Sequence, residues 1–351
     1  MPPTTVKIAD RIIGEGRPCF IIAEAGVNHN GDINLARKLI DAARDAGADA
    51  VKFQTFTAEA IATKGAEKAP YQKEASGTGE SQYDMLKKLE LSKEAHRELK
   101  NYAEKQGIIF LSTPFDEASI DLLDGLGVPA FKVASGEITN LPLIKYIAKK
   151  KKPVIMSTGM STLDEIGEVL EFLHNEGAKE IILLHCVSVY PAKIEDMNLR
   201  VMVSLRRTFG LPVGLSDHTT SITVPVAAVA LGACVIEKHF TLDRNLPGPD
   251  HQASLEPQEL KQMVKSTREV EMALGDGVKR LTPDEIENKK VTRRSIVAKI
   301  DIPNGVTITK EMLAIRRPGN GLEAKFMNLV IGKTTQKDIK SGEAITLSKV
   351  G

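Results

Sequence analysis

The sequence lacks tryptophan altogether, and aromatic residues make up only 4% of its 351 residues. So thin a supply of rings argues against a protein that works by aromatic stacking. Cysteine is scarce too, with Cys19, Cys186 and Cys234 alone. An odd, low count excludes a full disulfide framework and points to a reducing, cytosolic setting. There is no excess of charge of either sign: 47 basic and 46 acidic side chains leave a formal charge of +1. That balance argues against a nucleic-acid partner or an anionic membrane surface. The longest uncharged apolar run, around residues 224–236, is too short to span a bilayer and is interrupted by Pro225 and Gly232. The opening stretch MPPTTVKIAD has no basic-then-apolar leader pattern. With 42% hydrophobic and 26% charged residues the chain is otherwise ordinary for a soluble globular protein. Its length suits one barrel of about 250 residues plus a smaller domain.

Residues 1–275 alternate two kinds of segment. Eight short, apolar, β-branched runs (20–23, 50–53, 108–112, 131–134, 154–157, 181–186, 213–215 and 234–237) read as parallel strands buried on both faces. Between them lie amphipathic stretches at helical period, among them 34–46, 93–106, 118–126, 163–175, 197–209 and 257–274. Several stop at a glycine, as in DAGAD, KQGII and NEGAK. Eight such units predict an α/β fold of the closed (β/α)8, or TIM-barrel, type. An open doubly wound sheet would show a Gly-rich phosphate turn after the first strand, and AEAGVNHNGD is not one. Two short segments before the first strand, 6–8 and 12–14, suit a hairpin closing the lower end of the barrel. Residues 276–290 read as a linker. Residues 291–351 read as a small β-rich domain in which DIPNGVTIT and DIKSGEAIT look like two copies of one turn. So short a domain is marginal alone and predicts docking on a partner.

In a barrel of this kind reactive groups sit where strands end at the upper face. The strand ends give Glu24; Lys52 and Gln54; Ser112 and Thr113; Lys132, Ser135 and Glu137; Ser157 and Thr158; His185, Ser188 and Tyr190; Ser216, Asp217 and His218; Lys238 and His239. Two lysines among Ser and Thr hydroxyls suit an anionic substrate carrying phosphate or carboxylate. A structural Lys52–Glu24 ion pair is compatible with that role. His218 and His239 close successive strands about 4.8 Å apart. Two imidazoles there can hold a divalent cation while leaving positions for water and substrate oxygen. His29 is a third candidate, on a loop. The turn-rich PGPDH (247–251) would hold Asp250 over the barrel mouth, and RRPGNG (316–321) sets Arg317 before a Pro-Gly turn in the small domain.

Taken together, FIIAEAGVNHNGD, DAVKFQTF, FLSTPFD, FKVASGEITN, STGMS, LLHCVSVYPA, GLSDHT, VIEKHFTLD, PGPDH and RRPGNG resemble the sialic acid (nonulosonic acid) synthases of the bacterial N-acetylneuraminate synthase type. The likeness runs in order over nearly the whole chain, and the tail resembles the antifreeze-like (SAF) module of those enzymes. The resemblance implies condensation of phosphoenolpyruvate with N-acetylmannosamine or a related acetamido sugar, giving a nine-carbon 2-keto acid and phosphate. It implies phosphoenolpyruvate contacts at Lys52, Thr113, Lys132, Ser135, Ser157, Ser188 and Ser216, and sugar contacts at Gln54, Glu137, Tyr190, Asp250 and Arg317. Glu24, Lys52 and Lys132 become the catalytic candidates, with Glu24 carrying protons or favouring a cationic stage. His218 and His239 become the candidate ligands of Mn2+, with Mg2+, Co2+ or Zn2+ also acceptable to such a set. Arg317 would reach the active site of the other subunit of a domain-swapped homodimer.

One departure bears on the sugar. Those synthases often carry Thr-Asn after the LHC segment, where Val187 and Ser188 stand here. Relatives that make legionaminic or pseudaminic acid from diacetamido-trideoxy sugars share most of the same motifs. A metal-dependent hydrolase on the same barrel, or a binding protein working through its tail, would be the readings from other classes.

Overall fold

The computed structural model describes residues 4–77 and 79–351, and the chain divides into two compact units between Gly275 and Asp276. The larger unit begins with an antiparallel hairpin of β1 (Thr5–Ile8) and β2 (Arg11–Gly14). Eight parallel strands follow: β3 (Phe20–Gly26), β4 (Ala50–Thr55), β5 (Ile109–Pro114), β6 (Phe131–Val133), β7 (Val154–Ser157), β8 (Ile181–Cys186), β9 (Val213–Asp217) and β10 (Val235–His239). They are ordered β5-β4-β3-β10-β9-β8-β7-β6, and β5 packs beside β6 to bring the ends of the sheet together as a TIM barrel. Each strand coincides with one of the apolar runs to within three residues at either end.

Sequence explains the helices around it. Asp32, Ser92 and Thr162 cap Ile33–Ala46, Lys93–Gln106 and Leu163–Asn175 by accepting from backbone N–H groups in the first turn. Thr223–Ala230 carried no amphipathic signal, because it is apolar on all sides and lies between the sheet and helix Pro257–Leu274. Residues 276–290, expected as a linker, instead hold most of a helix, Pro283–Thr292. Its start is a capping box readable in TPDE, where Thr282 and Glu285 each bond the other's backbone N–H.

The barrel interior is built in layers. At the bottom Val6, Ile8 and Ile13 of the hairpin pack with Phe20, Ile22, Leu111, Ile155, Ile182, Leu184 and Val235 as a fully apolar plug. The period of two along each strand places the next inward residues one storey higher, and these are charged, hydroxylic or, at Cys186, a thiol. The plug thus forms a dry floor under a polar storey.

In the smaller unit β11 (Ser295–Ala298) and β12 (Leu313–Arg316) pair antiparallel over a core of Ile296, Ala298, Ile302, Ile308, Leu313, Val330, Ile339 and Ile345. The two turn copies face each other. Ile302 and Ile339 exchange backbone hydrogen bonds of 2.8 and 2.9 Å. Asp338 accepts from Asn304 N–H and Asp301 from Ser341 N–H, each at 2.8 Å. This reciprocity gives the repeat a pseudo-twofold axis.

Candidate functional site

The inward storey of the barrel carries two lysines and two glutamates from four strands. Lys52 Nζ lies 2.8 Å from Glu24 and 3.6 Å from Glu237, while Lys132 Nζ lies 3.5 Å from the other oxygen of Glu237. Lys52 donates to Thr113 Oγ1 at 2.8 Å, Lys132 to Ser157 Oγ at 2.7 Å, and Ser216 to Glu237 at 3.0 Å. None of the four charged side chains exceeds 5% exposure. Four buried charges so close, with hydroxyls aimed at them, make a low-dielectric electrostatic centre rather than a surface network.

Their protonation follows. Burial pushes the Glu24 carboxyl above the usual carboxylate range, and Lys52 only partly offsets it. Burial also opposes ionisation of Glu237, but Lys132 and Lys52 outweigh it and hold that carboxyl well below the usual range. Burial lowers Lys132, with Glu237 supporting its charge. Two neighbouring carboxyls driven apart in this way can play different parts, one a permanent counter-ion and the other a group that exchanges protons near neutrality. Glu24 Oε2 and Glu237 Oε2 are buried without an aligned hydrogen-bond donor among the described residues.

A second group stands beside this ring. His218 and His239 have ring centroids 5.4 Å apart at 69°, and Tyr190 stacks on His218 at 4.0 Å and meets His239 edge-on at 5.5 Å. The few aromatic rings of this chain, which suggested that stacking has no role, are therefore used at the barrel mouth. Gly26, at φ +51°, ends β3 where a Cβ would lie 3.3 Å from Glu24, 3.5 Å from Gln54 and 3.5 Å from His239, so these three converge. Asp250 Oδ2 is 3.9 Å from His239 Nδ1. Burial raises the Asp250 carboxyl to about 6.

The histidines fit a divalent cation. His218 Nδ1–H donates to Val187 O at 2.7 Å, so Nε2 is the nitrogen left for a cation whenever the ring is neutral. Burial opposes the protonated ring, while Cys186 and the Val187 carbonyl favour it. His239 Nδ1 is buried with no hydrogen-bond partner among the described residues, and burial holds this ring well below the usual histidine range, so it stays neutral. Among the described residues no cluster of three or more His, Cys, Asp or Glu side chains could hold an ion alone. The remaining ligands of such a cation would be water and substrate oxygen.

Ser135 and Ser188 meet over Gly159: a Cβ there would lie 2.2 Å from Ser188 Oγ and 2.8 Å from Ser135 Oγ, and Gly159 N–H donates to Ser135 Oγ at 3.0 Å. One of the expected positions on the barrel stands apart from this assembly. Glu137 accepts from Asn140 at 2.7 Å and forms no ion pair with the charged ring among the described residues. Arg317 belongs to the smaller unit, where its side chain is exposed. Among the strand-end residues, Lys238 and Asp217 pair with each other at 2.6 Å, and His185 bonds Met197 O at 2.7 Å. All three lie one position out of phase with the inward residues of their strands.

Sequence reasoning passed over Glu237, the residue that joins the two lysines. The signal was present, since counting back by two from His239 reaches it. Cys186, inside the quoted LLHCVSVYPA, was likewise passed over. Its Sγ is 3.8 Å from His218 Nδ1 and 3.9 Å from Ser188 Oγ. Burial pushes the thiol up, but His218, Ser135 and Lys132 bring it down to about 7.

The chain is similar to known proteins over most of its length. The N,N'-diacetyllegionaminic acid synthase of Campylobacter jejuni is 53% identical over 328 residues, covering 93% of this chain and 98% of that protein. The N,N'-diacetyllegionaminic acid synthase of Legionella pneumophila is 48% identical over 336 residues, covering 95% and 94%. The crystal structure of N-acetylneuraminic acid synthetase from Leptospira borgpetersenii, in complex with citrate, superposes with a TM-score of 0.72 at 36% identity, over 82% of this chain and 95% of that one. With the NeuB family model matching residues 39–279 and the SAF domain model matching residues 293–351, the chain belongs to the NeuB family and carries a SAF domain C-terminal to its barrel in sequence.

Proposed function

We propose that this chain is a nonulosonic acid synthase that condenses phosphoenolpyruvate with a 2,4-diacetamido-2,4,6-trideoxy sugar aldehyde, releasing phosphate and N,N'-diacetyllegionaminic acid. The observation that carries the chemistry is the buried ring of Lys52, Lys132, Glu24 and Glu237 beside His218 and His239. The choice of sugar over N-acetylmannosamine, the leading expectation from sequence, is supported by the two legionaminic acid synthases at 53% and 48% identity.

Phosphoenolpyruvate brings a phosphate and a carboxylate. Lys132 with Ser157, and Lys52 with Thr113, offer two buried cations each already oriented by a hydroxyl. With Glu24 protonated the ring keeps a net positive charge, so an incoming anion is attracted and Lys132 regains support for its own charge. Ser135 and Ser188 supply further donors, while Ser216, whose proton goes to Glu237, orders that carboxylate beside the substrate. The sugar lies toward Gln54, Tyr190 and Asp250. His218 and His239 would hold a divalent cation, Mn2+ by the resemblance and with Mg2+, Co2+ or Zn2+ also acceptable to such a set, and it would supply electrophilic polarisation of an aldehyde oxygen. Carbon 3 of the enol bonds to the aldehyde carbon, whose oxygen takes up a proton. Water adds at carbon 2, giving up one proton, and as the bond from carbon 2 to the phosphate oxygen breaks, the remaining hydroxyl proton at carbon 2 passes to the departing phosphate, leaving the 2-keto group. Glu24 is the group suited to hold and pass the first of these protons, and Glu237 stays ionised to support the cationic stage.

Arg317 completes the sugar site from a second copy of the chain. Mixing Arg317→Ala with Lys132→Ala, each inactive alone, then restores part of the turnover, and no restoration would exclude a shared site. The function itself is tested by phosphate release. Release should require both phosphoenolpyruvate and the amino sugar and should stop with a chelator. Release that ignored the sugar, or survived the chelator, would sink the assignment. Gly159→Ala should raise the KM for phosphoenolpyruvate about tenfold by splaying Ser135 and Ser188. The sugar KM should stay near its original value, and equal movement of both would remove the two serines from the phosphoenolpyruvate side.

A further inference from the structure

Between β4 and helix Lys93–Gln106 the chain makes an excursion through three short helices, Ala58–Ile61, Pro70–Ser76 and Gln82–Leu89. The middle one brings Tyr71 to the barrel mouth. Its ring stacks on Tyr190 at 5.0 Å and 29°, and Tyr190 stacks in turn on His218 at 4.0 Å and 27°. Three rings thus run without a gap from the excursion to a candidate cation ligand. Two of the five tyrosines in the chain are spent here. Gln72 donates to the Tyr71 hydroxyl at 3.2 Å and accepts from Ala69 N–H at 3.0 Å and Gln82 at 3.3 Å, which ties the middle helix to the start of the next one. Burial and the Asp250 carboxylate push the phenol above its usual range, which keeps it neutral and places it near Asp250.

A sugar whose aldehyde lies between His218 and His239 must run its remaining carbons past Tyr190. Tyr71 is one ring spacing further on, within reach of the distal half of an extended six-carbon chain. A flat phenol ring offers apolar surface to methyl and C–H groups and takes hydroxyls out of water without repaying them. We propose that Tyr71 is an acceptor-specificity residue: its ring, stacked on Tyr190, forms the wall for the distal carbons of the acceptor and favours a deoxy carbon and an acetamido methyl over hydroxyls. This rests on the condensation and acceptor proposed above.

The test compares the full-length enzyme with Tyr71→Ala and Tyr71→Phe on two acceptors, the diacetamido-trideoxy aldehyde and N-acetylmannosamine. Tyr71→Ala should raise the KM of the diacetamido sugar about tenfold and that of N-acetylmannosamine much less, so that selectivity falls. The KM for phosphoenolpyruvate should stay within about twofold, and Tyr71→Phe should behave as wild type. If Tyr71→Ala disturbed folding, Tyr71→Leu, which keeps bulk without a flat face, should show the same lost selectivity. Equal effects on both acceptors, an unchanged acceptor KM, or an equal shift for phosphoenolpyruvate would overturn the proposal. Wild-type enzyme accepting only N-acetylmannosamine would overturn the acceptor assignment instead, and with it the preference for apolar groups. An unchanged KM for that sugar in Tyr71→Ala would then remove the wall as well.

Discussion

Glu237→Gln lowers kcat/KM by about a thousandfold with the fold intact. Glu237 is the one carboxylate shared by Lys52 and Lys132, and it also accepts from Ser216. Glutamine keeps the shape and an acceptor oxygen but removes the charge. Two cations are then left in a dry site with only Glu24, which burial keeps reluctant to ionise. Removing one partner of a buried ion pair typically costs about 3–5 kcal/mol, and each ~1.4 kcal/mol is a factor of ten in rate. Much of that cost is relieved by deprotonating Lys132, whose charge Glu237 supports most among its neighbours. The sign of the pH effect follows. A lowered Lys132 pKa leaves the amine neutral above it, so the phosphoenolpyruvate KM of the variant should be worse at pH 8 than at pH 6. A pH series of steady-state kinetics measures this. A variant within tenfold of wild type, or one whose defect is flat with pH, would show that Glu237 is not the counter-ion on which the lysines depend.

That a residue of this weight escaped the sequence, while the barrel did not, has a physical reason. Continuous apolar runs mark strands buried on both faces, and their lengths place the strand ends well. Such runs do not say which face each residue takes. Glu237 sat at the end of an apolar run and was counted with it, whereas Lys238, one residue on, looked like a strand-end cation. The pleat decides otherwise. His239 faces inward, so Glu237 does, and Lys238 turns to Asp217 behind the sheet with no exposed side-chain surface. The same alternation separates Ser216 and His218 from Asp217. Lys52, Lys132, Thr113 and Ser157 were legible because hydroxyls and cations at four strand ends have one shared destination. Tyr71 was not legible, because nothing in the spacing of APYQK shows that its helix leans over the mouth. Glu137 was legible as a strand-end residue and Arg317 as a residue before a Pro-Gly turn, but their sugar-contact roles came from resemblance alone, and Glu137 does not join the ring.

His239→Ala removes both the bound cation and most turnover, by about three orders of magnitude. The chain offers two imidazoles and no third ligand able to complete a set of three among the described residues. Loss of one therefore halves the protein's share of the coordination shell, unlike a closed four-ligand site where three would remain. His239 is the cleaner of the two to test. The Nδ1 of His218 is already engaged with Val187 and its ring is clamped under Tyr190, so its replacement would disturb packing as well. Among the described residues His239 Nδ1 has no hydrogen-bond partner, and the ring meets Tyr190 edge-on. A buried polar atom left unsatisfied normally costs about 1–3 kcal/mol, and a cation on this nitrogen would remove that cost. Elemental analysis of the purified variant and cation titration followed by calorimetry read occupancy without relying on turnover. Thermal unfolding should show the apo-proteins of wild type and variant closely matched, with added cation raising the midpoint of wild type alone. A variant that retained its metal and its activity would show that the cation, if the enzyme uses one, is bound elsewhere.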